Sequence, residues 1–345
     1  MHKQNKLDNT SSRPETTLGR MIGGFMVTQM IYVATKLGIA DLLKDGPKSI
    51  ERLAESVEAD PRSLYRLMRG LASVGIFAET DDRHFELTPL ATFLQTRAPG
   101  SMRNFALWAG EALTWRPFGE LLHSVKTGKP AFKHVFDTGI MDYLAGDAEA
   151  SQIFNQVMTE RAAPTAAAVC AAYDFSGVKR LVDVGGGHGI LITTILKANP
   201  HLRGVLFDLP SVVEGAKGLL EREGVADRCE IVPGNFFESV PVEGDAYILS
   251  SVIHDWDDER ALTILRNIRE NMPKDGKLLL VEYVILPGDE PHPGKISDVI
   301  MLVTENGLER TEAEFRALLE MAGFKLTGII PTESRMSVME GTPVH

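Results

Sequence analysis

Cysteine is nearly absent: Cys170 and Cys229 are the only two in 345 residues. Two such residues build no disulfide framework and have no metal-ligand spacing, so they read as ordinary buried thiols of a reducing cytosol. Positive charge is also scarce, with 36 Lys and Arg against 47 Asp and Glu and a formal net charge of −11. That balance disfavours non-specific adhesion to nucleic acid or an anionic membrane and favours a small-molecule or protein partner. Long apolar runs are lacking as well. The uncharged stretch Met21 to Thr35 ends at Lys36, short of the roughly 18 residues that would suggest a membrane span, and reads instead as a helix buried between subunits. Residues 1–13 are polar, without the apolar core of a secretory signal, and read as a disordered tail, so a cytoplasmic protein is expected.

What is present is ordinary in bulk and specific in detail. A hydrophobic content of 44% and a charged content of 24% suit a globular chain long enough for two domains. The most informative stretch is Leu181-Val182-Asp183-Val184-Gly185-Gly186-Gly187-His188-Gly189, an apolar run ending in an acid and a glycine cluster. Glycine can turn sharply, take positive φ and let bare N–H groups approach a ligand. The helix expected from Ile190 to Ala198 then points its positive end at that ligand. A dinucleotide fingerprint wants a third small residue three positions after Gly187, where Ile190 stands, so the pyrophosphate reading is weakened. The next apolar run, Gly204 to Asp208, ends in a carboxylate about twenty residues on, the usual place for an acid that grips two ribose hydroxyls. No Lys or Arg adjoins Asp208 to accept a 2′-phosphate.

Along the chain, residues 17–43 read as one helix that is apolar around most of its circumference and so needs partners on several sides. Ser49 to Ala54 reads as a short helix, Asp60-Pro61 as the cap of another running to Val74, and Ile76–Glu79 with His84–Leu87 as a β wing around the turn Thr80 to Arg83. This winged-helix pattern raises a rival reading as a ligand-sensing DNA-binding regulator, since Arg62, Arg66 and Arg69 share a helix face. Against it, residues 1–100 hold 13 basic and 12 acidic residues, far from a basic footprint. Residues 97–172 read as helical, interrupted by a loop from Gly128 to Phe132, with aromatics including Trp108 and Phe154 that could line an apolar pocket or simply form a helix core.

After Ala172 strands and helices alternate. Strands are predicted at Arg180–Val184, Val205–Asp208, Glu230–Pro233, Ala246–Leu249 and Lys277–Tyr283, a doubly wound parallel sheet. A helix from Glu312 to Ala322 and two strands, Phe324–Pro331 and Met336–Glu340, end the chain. This hairpin implies an antiparallel strand at the edge, which suits a methyltransferase sheet better than a dinucleotide fold. Ligands bind beyond the carboxyl ends of the strands. There, after Leu249, lies His254, whose neutral imidazole suits removal of a phenolic proton near pH 7. Glu282 and Glu309 could orient that ring. Taken singly, each has a duller reading: a loop histidine, an exposed acid, and Asp257 and Asp258 as acids favoured at a helix start.

Taken together, Val182-Asp183-Val184-Gly185-Gly186-Gly187, Phe207-Asp208-Leu209-Pro210, Gly234-Asn235-Phe236-Phe237, His254-Asp255-Trp256 and Glu309-Arg310-Thr311 resemble the plant-caffeate-type O-methyltransferase family and its bacterial relatives over nearly the whole chain. The resemblance implies an α/β fold: a Rossmann-like seven-stranded methyltransferase sheet behind a mainly helical winged-helix dimerisation domain. It divides the chain into a tail (1–13), the dimerisation domain (14–100), a helical linker and acceptor-pocket segment (101–172) and the catalytic domain (173–345). It further implies S-adenosylmethionine-dependent, metal-independent transfer to an aromatic hydroxyl of a small, secondary-metabolic acceptor within a homodimer, without nucleic acid or membrane. Its cofactor residues would be Asp183, Gly185, Gly187, Asp208, Leu209, Asn235, Phe236, Ser250, Ser251 and Trp256. His254 would be the general base flanked by Glu282 and Glu309, and Phe154, Met158, Arg161, Met301 and Trp108 would meet the acceptor. Asn235 stands where relatives commonly carry Asp, and Ser250 and Ser251 where many carry Lys or Arg. Some family members are thought to use the bound cofactor for decarboxylation, hydroxylation or ring formation, and the intact His254, Glu282 and Glu309 argue against that branch.

Overall fold

The computed structural model describes residues 13–241 and 243–344; the expected tail therefore lies, apart from Arg13, outside the described residues. The chain divides into two compact units, Met1–Trp115 and Arg116–His345.

In the N-terminal unit, α1 (Pro14–Lys36) starts on a proline whose missing N–H costs nothing at a helix start. Only Ala34 and Thr35 of α1 are buried, while Leu18, Met21, Ile22, Phe25 and Met26 are exposed. The single helix expected over 17–43 is in fact broken. Gly38, at φ 68°, supplies a left-handed residue between α1 and α2 (Ile39–Leu42), a conformation that other residues adopt at a cost. Then follow β1 (Lys48–Ser49), α3 (Ile50–Ser56), α4 (Pro61–Ser73), β2 (Phe77–Glu79), β3 (His84–Leu87), α5 (Pro89–Thr92) and α6 (Arg103–Gly110). The side chains of Ser49 and Asp60 accept the amides of Arg52 and Ser63 and cap α3 and α4; Asp60 is expected in that role, whereas Ser49 is expected as the first residue of its helix. The wing is a three-stranded sheet in the order β1-β3-β2; β1, two residues long, is too short to carry a sequence pattern.

Between the wing and the sheet run α7 (Ala112–Gly119), α8 (Leu121–Thr127), α9 (Ala131–Phe136), α10 (Ile140–Gly146) and α11 (Ala148–Ala172). The loop forecast at 128–132 is shorter than expected. Gly128 caps α8 at φ 67°, and Ala131 already begins α9, its amide held by the Ser124 hydroxyl at 2.9 Å.

The sheet elements are β4 (Arg180–Val184), α12 (Ile190–Ala198), β5 (Arg203–Asp208), α13 (Pro210–Val213), α14 (Lys217–Arg222), β6 (Cys229–Pro233), β7 (Ala246–Ser250), α15 (Asp258–Asn271), β8 (Lys277–Glu282), β9 (Val284–Ile285), α16 (Pro293–Thr304), β10 (Arg310–Thr311), α17 (Glu312–Met321), β11 (Phe324–Pro331) and β12 (Ser337–Pro343). Seven of the strands form one sheet in the order β11-β12-β8-β7-β4-β5-β6. The reversal of order at β4 opens a crevice above its carboxyl end. Val182, Val184, Tyr247 and Leu249 face α15 and α17 on one side, and Leu181, Leu206, Ile248 and Val281 face α11 and α12 on the other. Burial on both faces explains the continuous apolar strand sequences.

The antiparallel strand is not at the edge, as expected, but one place inside it: β12 pairs antiparallel with both β8 and β11, and β11 is outermost. The burial of the two strands gives the reason. Five residues of β12 are buried, whereas β11 alternates buried and exposed over its first half and is only half-buried over most of its second.

Candidate active site

The glycine loop folds as its composition requires. Gly185, Gly187 and Gly189 take φ of 70°, 59° and 79°. A Cβ on Gly185 would lie 2.9 Å from the Val252 side chain, and one on Gly186 would lie 2.5 Å from Leu206 and 2.6 Å from the Asp183 carboxyl. A Cβ on Gly187 would meet nothing, so the loop presents bare backbone to open space beside Asp208. That acid accepts the amides of Gly187 at 2.8 Å and Leu209 at 2.6 Å, which fixes its carboxylate at the mouth of the crevice. Burial raises its pKa, and these two N–H groups pull it back. A pre-set carboxylate beside an open glycine cradle fits the ribose and amino-acid ends of S-adenosylmethionine.

Asp183 is only 1% exposed, on the α12 side of the sheet beneath the loop. Burial and the Asp208 charge push its carboxyl up to about 7, and its Oδ2 has no partner among the described residues. Asn235 is engaged locally, accepting the Phe237 amide at 3.0 Å and donating to Glu238 at 3.2 Å. Phe236 approaches the Cβ position of Gly185 at 3.5 Å and stands edge-on to Phe237 and Trp256. Arg260 lies over the Trp256 ring at 4.3 Å. Leu209 is exposed. Ser250 ends β7, and Ser251 takes φ 55°, a left-handed backbone that is uncommon for serine and concentrated at functional turns.

The titratable cluster comes from three separated segments. His254 sits on a 3-10 turn, Ile253–Asp255, just past β7. Its Nδ1 lies 2.9 Å from Glu282 Oε2 and 3.4 Å from Glu309 Oε1, and its Nε2 lies 3.3 Å from Asp255 Oδ1. Glu282 is aimed by its own second oxygen, which accepts the amides of Val252 and Ile253 at 3.0 and 2.9 Å. Glu309 is brought beside it by the parallel pairing of β9 with β10, Arg310 opposite Val284, because each glutamate immediately precedes or nearly precedes one of these short strands. The two acids are 0% and 3% exposed, so the dull reading of Glu309 as a surface acid is overturned.

Burial depresses the His254 pKa, but Glu282 and Asp255 outweigh it and leave the imidazole well above its ordinary value. Glu309 is pushed up to about 7, by burial first and by Glu282 against the pull of His254. His254 and Glu309 are therefore both shifted towards holding a proton, His254 by the neighbouring carboxylates and Glu309 by its burial. The donor atoms of the trio His254, Glu282 and Glu309 lie within 4.8 Å of one another, a set that could also hold a cation.

Of the proposed acceptor residues, Phe154, Met158 and Arg161 share one face of α11, the first two half-buried and the third exposed. Met301 is half-buried in the last turn of α16, where its carbonyl accepts the amides of Glu305 and Asn306. Trp108 belongs to the N-terminal unit, half-buried on α6. Sequence reasoning assigned no role to Asp255, Glu305 or Arg310. Glu305 is pushed up to about 8 by burial and the nearby Asp255 charge; the available signals were that Asp255 follows His254 and Arg310 follows Glu309 within motifs of the sequence.

Residues 118–325 match an O-methyltransferase domain, and residues 20–97 an O-methyltransferase dimerisation domain. The phenazine O-methyltransferase PhzM of Lysobacter antibioticus is 46% identical over 325 residues, covering 94% of this chain and 95% of that protein. The crystal structure of LaPhzM superposes with a TM-score of 0.92 at 45% identity, over 96% of this chain and 100% of that one. The O-methyltransferase NcsB1 from neocarzinostatin biosynthesis, solved with S-adenosyl-L-homocysteine and 1,4-dihydroxy-2-naphthoic acid, superposes with a TM-score of 0.81 at 31% identity, over 92% and 96% of the two chains. With its class I methyltransferase sheet and its open glycine cradle, this chain belongs to the O-methyltransferase family and is an S-adenosylmethionine-dependent methyltransferase.

Proposed function

We propose that the protein methylates an aromatic hydroxyl of a small secondary-metabolite acceptor, with His254 as general base, as a cytoplasmic homodimer. The observation that carries the reading is the convergence of two buried glutamates on one ring nitrogen of His254. A nitrogen acceptor with a free lone pair needs no base before attack, whereas a phenol must lose a proton as it attacks. A buried, acid-braced imidazole is therefore more useful to oxygen than to nitrogen transfer.

When bound, S-adenosylmethionine supplies a methyl group already activated by its sulfonium. The chain must align the acceptor, exclude water and take one proton. Gly185, Gly187 and Leu209 offer backbone and apolar surface to the cofactor, and Asp208 offers its carboxylate to the ribose. Asn235, Phe236, Ser250, Ser251, Trp256 and the buried Asp183 complete that side. Glu282 and Glu309 flank Nδ1, so the phenolic proton goes to Nε2, from which Asp255 at 3.3 Å must give way, and the glutamates stabilise the imidazolium that results. Phe154, Met158, Arg161 and Met301 form the acceptor side within the C-terminal unit. The exposed apolar side chains of α1 support association of two copies through residues 14–100.

The test uses S-adenosylmethionine labelled in its methyl group with a panel of phenols, hydroxyquinones and hydroxylated polyketides, for the wild type and His254→Ala, with and without a chelator. Label should enter an acceptor oxygen. The variant should lose about 10² to 10⁴ in turnover while still binding cofactor, and chelation should change nothing. Full activity of His254→Ala would remove it from the mechanism; a chelator-sensitive rate restored by a divalent cation would make the trio a metal site.

A further inference from the structure

We infer that Arg310 is a positioning residue for His254, acting through the backbone of the turn that carries it; this rests on the base reading above. Arg310 is fully buried and is the largest fully buried side chain of the described residues. Its Nη1 donates to the carbonyls of Ile253 at 3.1 Å and Leu308 at 3.3 Å, and its Nη2 to the carbonyl of Trp256 at 2.9 Å. Nη2 and Nε both reach Asp258 Oδ1, at 2.8 and 3.0 Å. The guanidinium thus ties the residue before His254, the residue two after it and the first residue of α15 to a single rigid fork. A planar five-donor group suits this task, and an ammonium does not.

The same segment clamps the turn in two further ways. The Leu308 amide donates to the His254 carbonyl at 2.9 Å. Gly307 lies so close that any Cβ there would collide with the His254 carbonyl and come within 2.6 Å of the Asp255 backbone. Successive side chains of an extended segment point to opposite sides. Here Glu309 meets the imidazole, while Arg310 meets the backbone that carries it. Two adjacent residues, Glu309 and the first residue of β10, Arg310, therefore set both the charge beside His254 and the height of the ring. The turn cannot shift without stripping partners from a buried cation, which is costly.

A group that only stabilised the fold would lower the melting temperature without moving the chemistry. The experiment compares Arg310→Lys, Asp258→Asn and His254→Ala, together with Arg310→Lys combined with His254→Ala. It reads kcat and KM at several pH values, S-adenosylmethionine affinity by calorimetry, and the His254 ring resonances by NMR. Arg310→Lys should lower kcat by about 10- to 100-fold, the scale of a misplaced catalytic group. It should leave KM and cofactor affinity within about twofold, displace the pH profile and shift the His254 resonances. On the His254→Ala background it should cost nothing more. Asp258→Asn, whose side chain is 62% exposed, keeps the arginine and its carbonyl bonds, so it should fold and show a smaller effect in the same direction. Unchanged kcat and unchanged His254 resonances in the folded variants would overturn the inference, as would an equal further loss on the His254→Ala background. If His254→Ala is itself fully active, the base reading falls, and the ring resonances of Arg310→Lys alone decide the positioning role.

Discussion

The glycine loop after β4 and the titratable cluster around His254 lie at the same end of the sheet, yet they are built in opposite ways. The loop is contiguous, and its shape follows from residues that can take positive φ at Gly185, Gly187 and Gly189. The cluster is assembled from residues 254, 282 and 309, brought within hydrogen-bond reach only by the β7–β8 neighbours and the two-residue β9–β10 pairing. Local chemistry makes the cradle, and topology makes the cluster. Damage to the first should therefore appear in binding, and damage to the second in rate.

Glu282→Gln sharpens this contrast most strongly. The amide oxygen can still accept the Val252 and Ile253 amides, so the fold should hold, but the charge beside Nδ1 disappears. Turnover should fall about 10²-fold, within the range of general-base assistance, with cofactor affinity unchanged in calorimetry. A loss of affinity with kcat intact would break the division between cradle and base.

Gly185→Ala should do the reverse. The new Cβ meets Val252 at 2.9 Å on a left-handed backbone, a penalty of about 1–2 kcal/mol per such residue, or roughly tenfold in cofactor affinity. Turnover at saturating cofactor should stay within a few-fold, measured by steady-state kinetics over a cofactor titration.

The pH dependence comes next in size. His254 is held above its ordinary value and Glu309 at about 7, so both retain a proton as pH falls, and a proton retained on His254 would block it as the proposed base. Turnover should rise with pH, with an inflection above the ~6.5 of free imidazole; an inflection below it would separate the rate from this cluster.

The smallest effect belongs to Asp183→Asn. Asp183 is raised from 3.8 to about 7. As pH climbs from about 4 to 7 the unfolded chain releases this proton and the folded chain keeps it, so folding loses stability over that window. The variant lacks this loss. Its melting temperature relative to the wild type should therefore increase between pH 4 and 7 in thermal scans, and a constant difference would deny the buried carboxyl its raised pKa.

Much of the architecture was legible because local patterns and burial agreed. Helix α12 spans Ile190–Ala198, strand β4 Arg180–Val184 and strand β11 Phe324–Pro331, each with the bounds its sequence suggests. The break at Gly38 was less visible, since an apolar pattern continues across it while only φ changes. Which strand of the final hairpin lies inside the sheet was not legible either, because both strands are rich in apolar residues and the choice depends on what covers each face.

His254, Glu282 and Glu309 were identifiable one by one, with resemblance linking them, but not their convergence on Nδ1. The sequence by itself determined the glycine cradle, the strand succession and the carboxylate of Asp208, since each depends on the conformational range or spacing of neighbouring residues. Only the tertiary structure decided the convergence of Glu282 and Glu309 on His254, the buried state of Asp183 and Glu309, and the grip of Arg310 on the His254 turn. Burial, charge coupling and hydrogen-bond geometry depend on distances between residues that the chain keeps tens of positions apart.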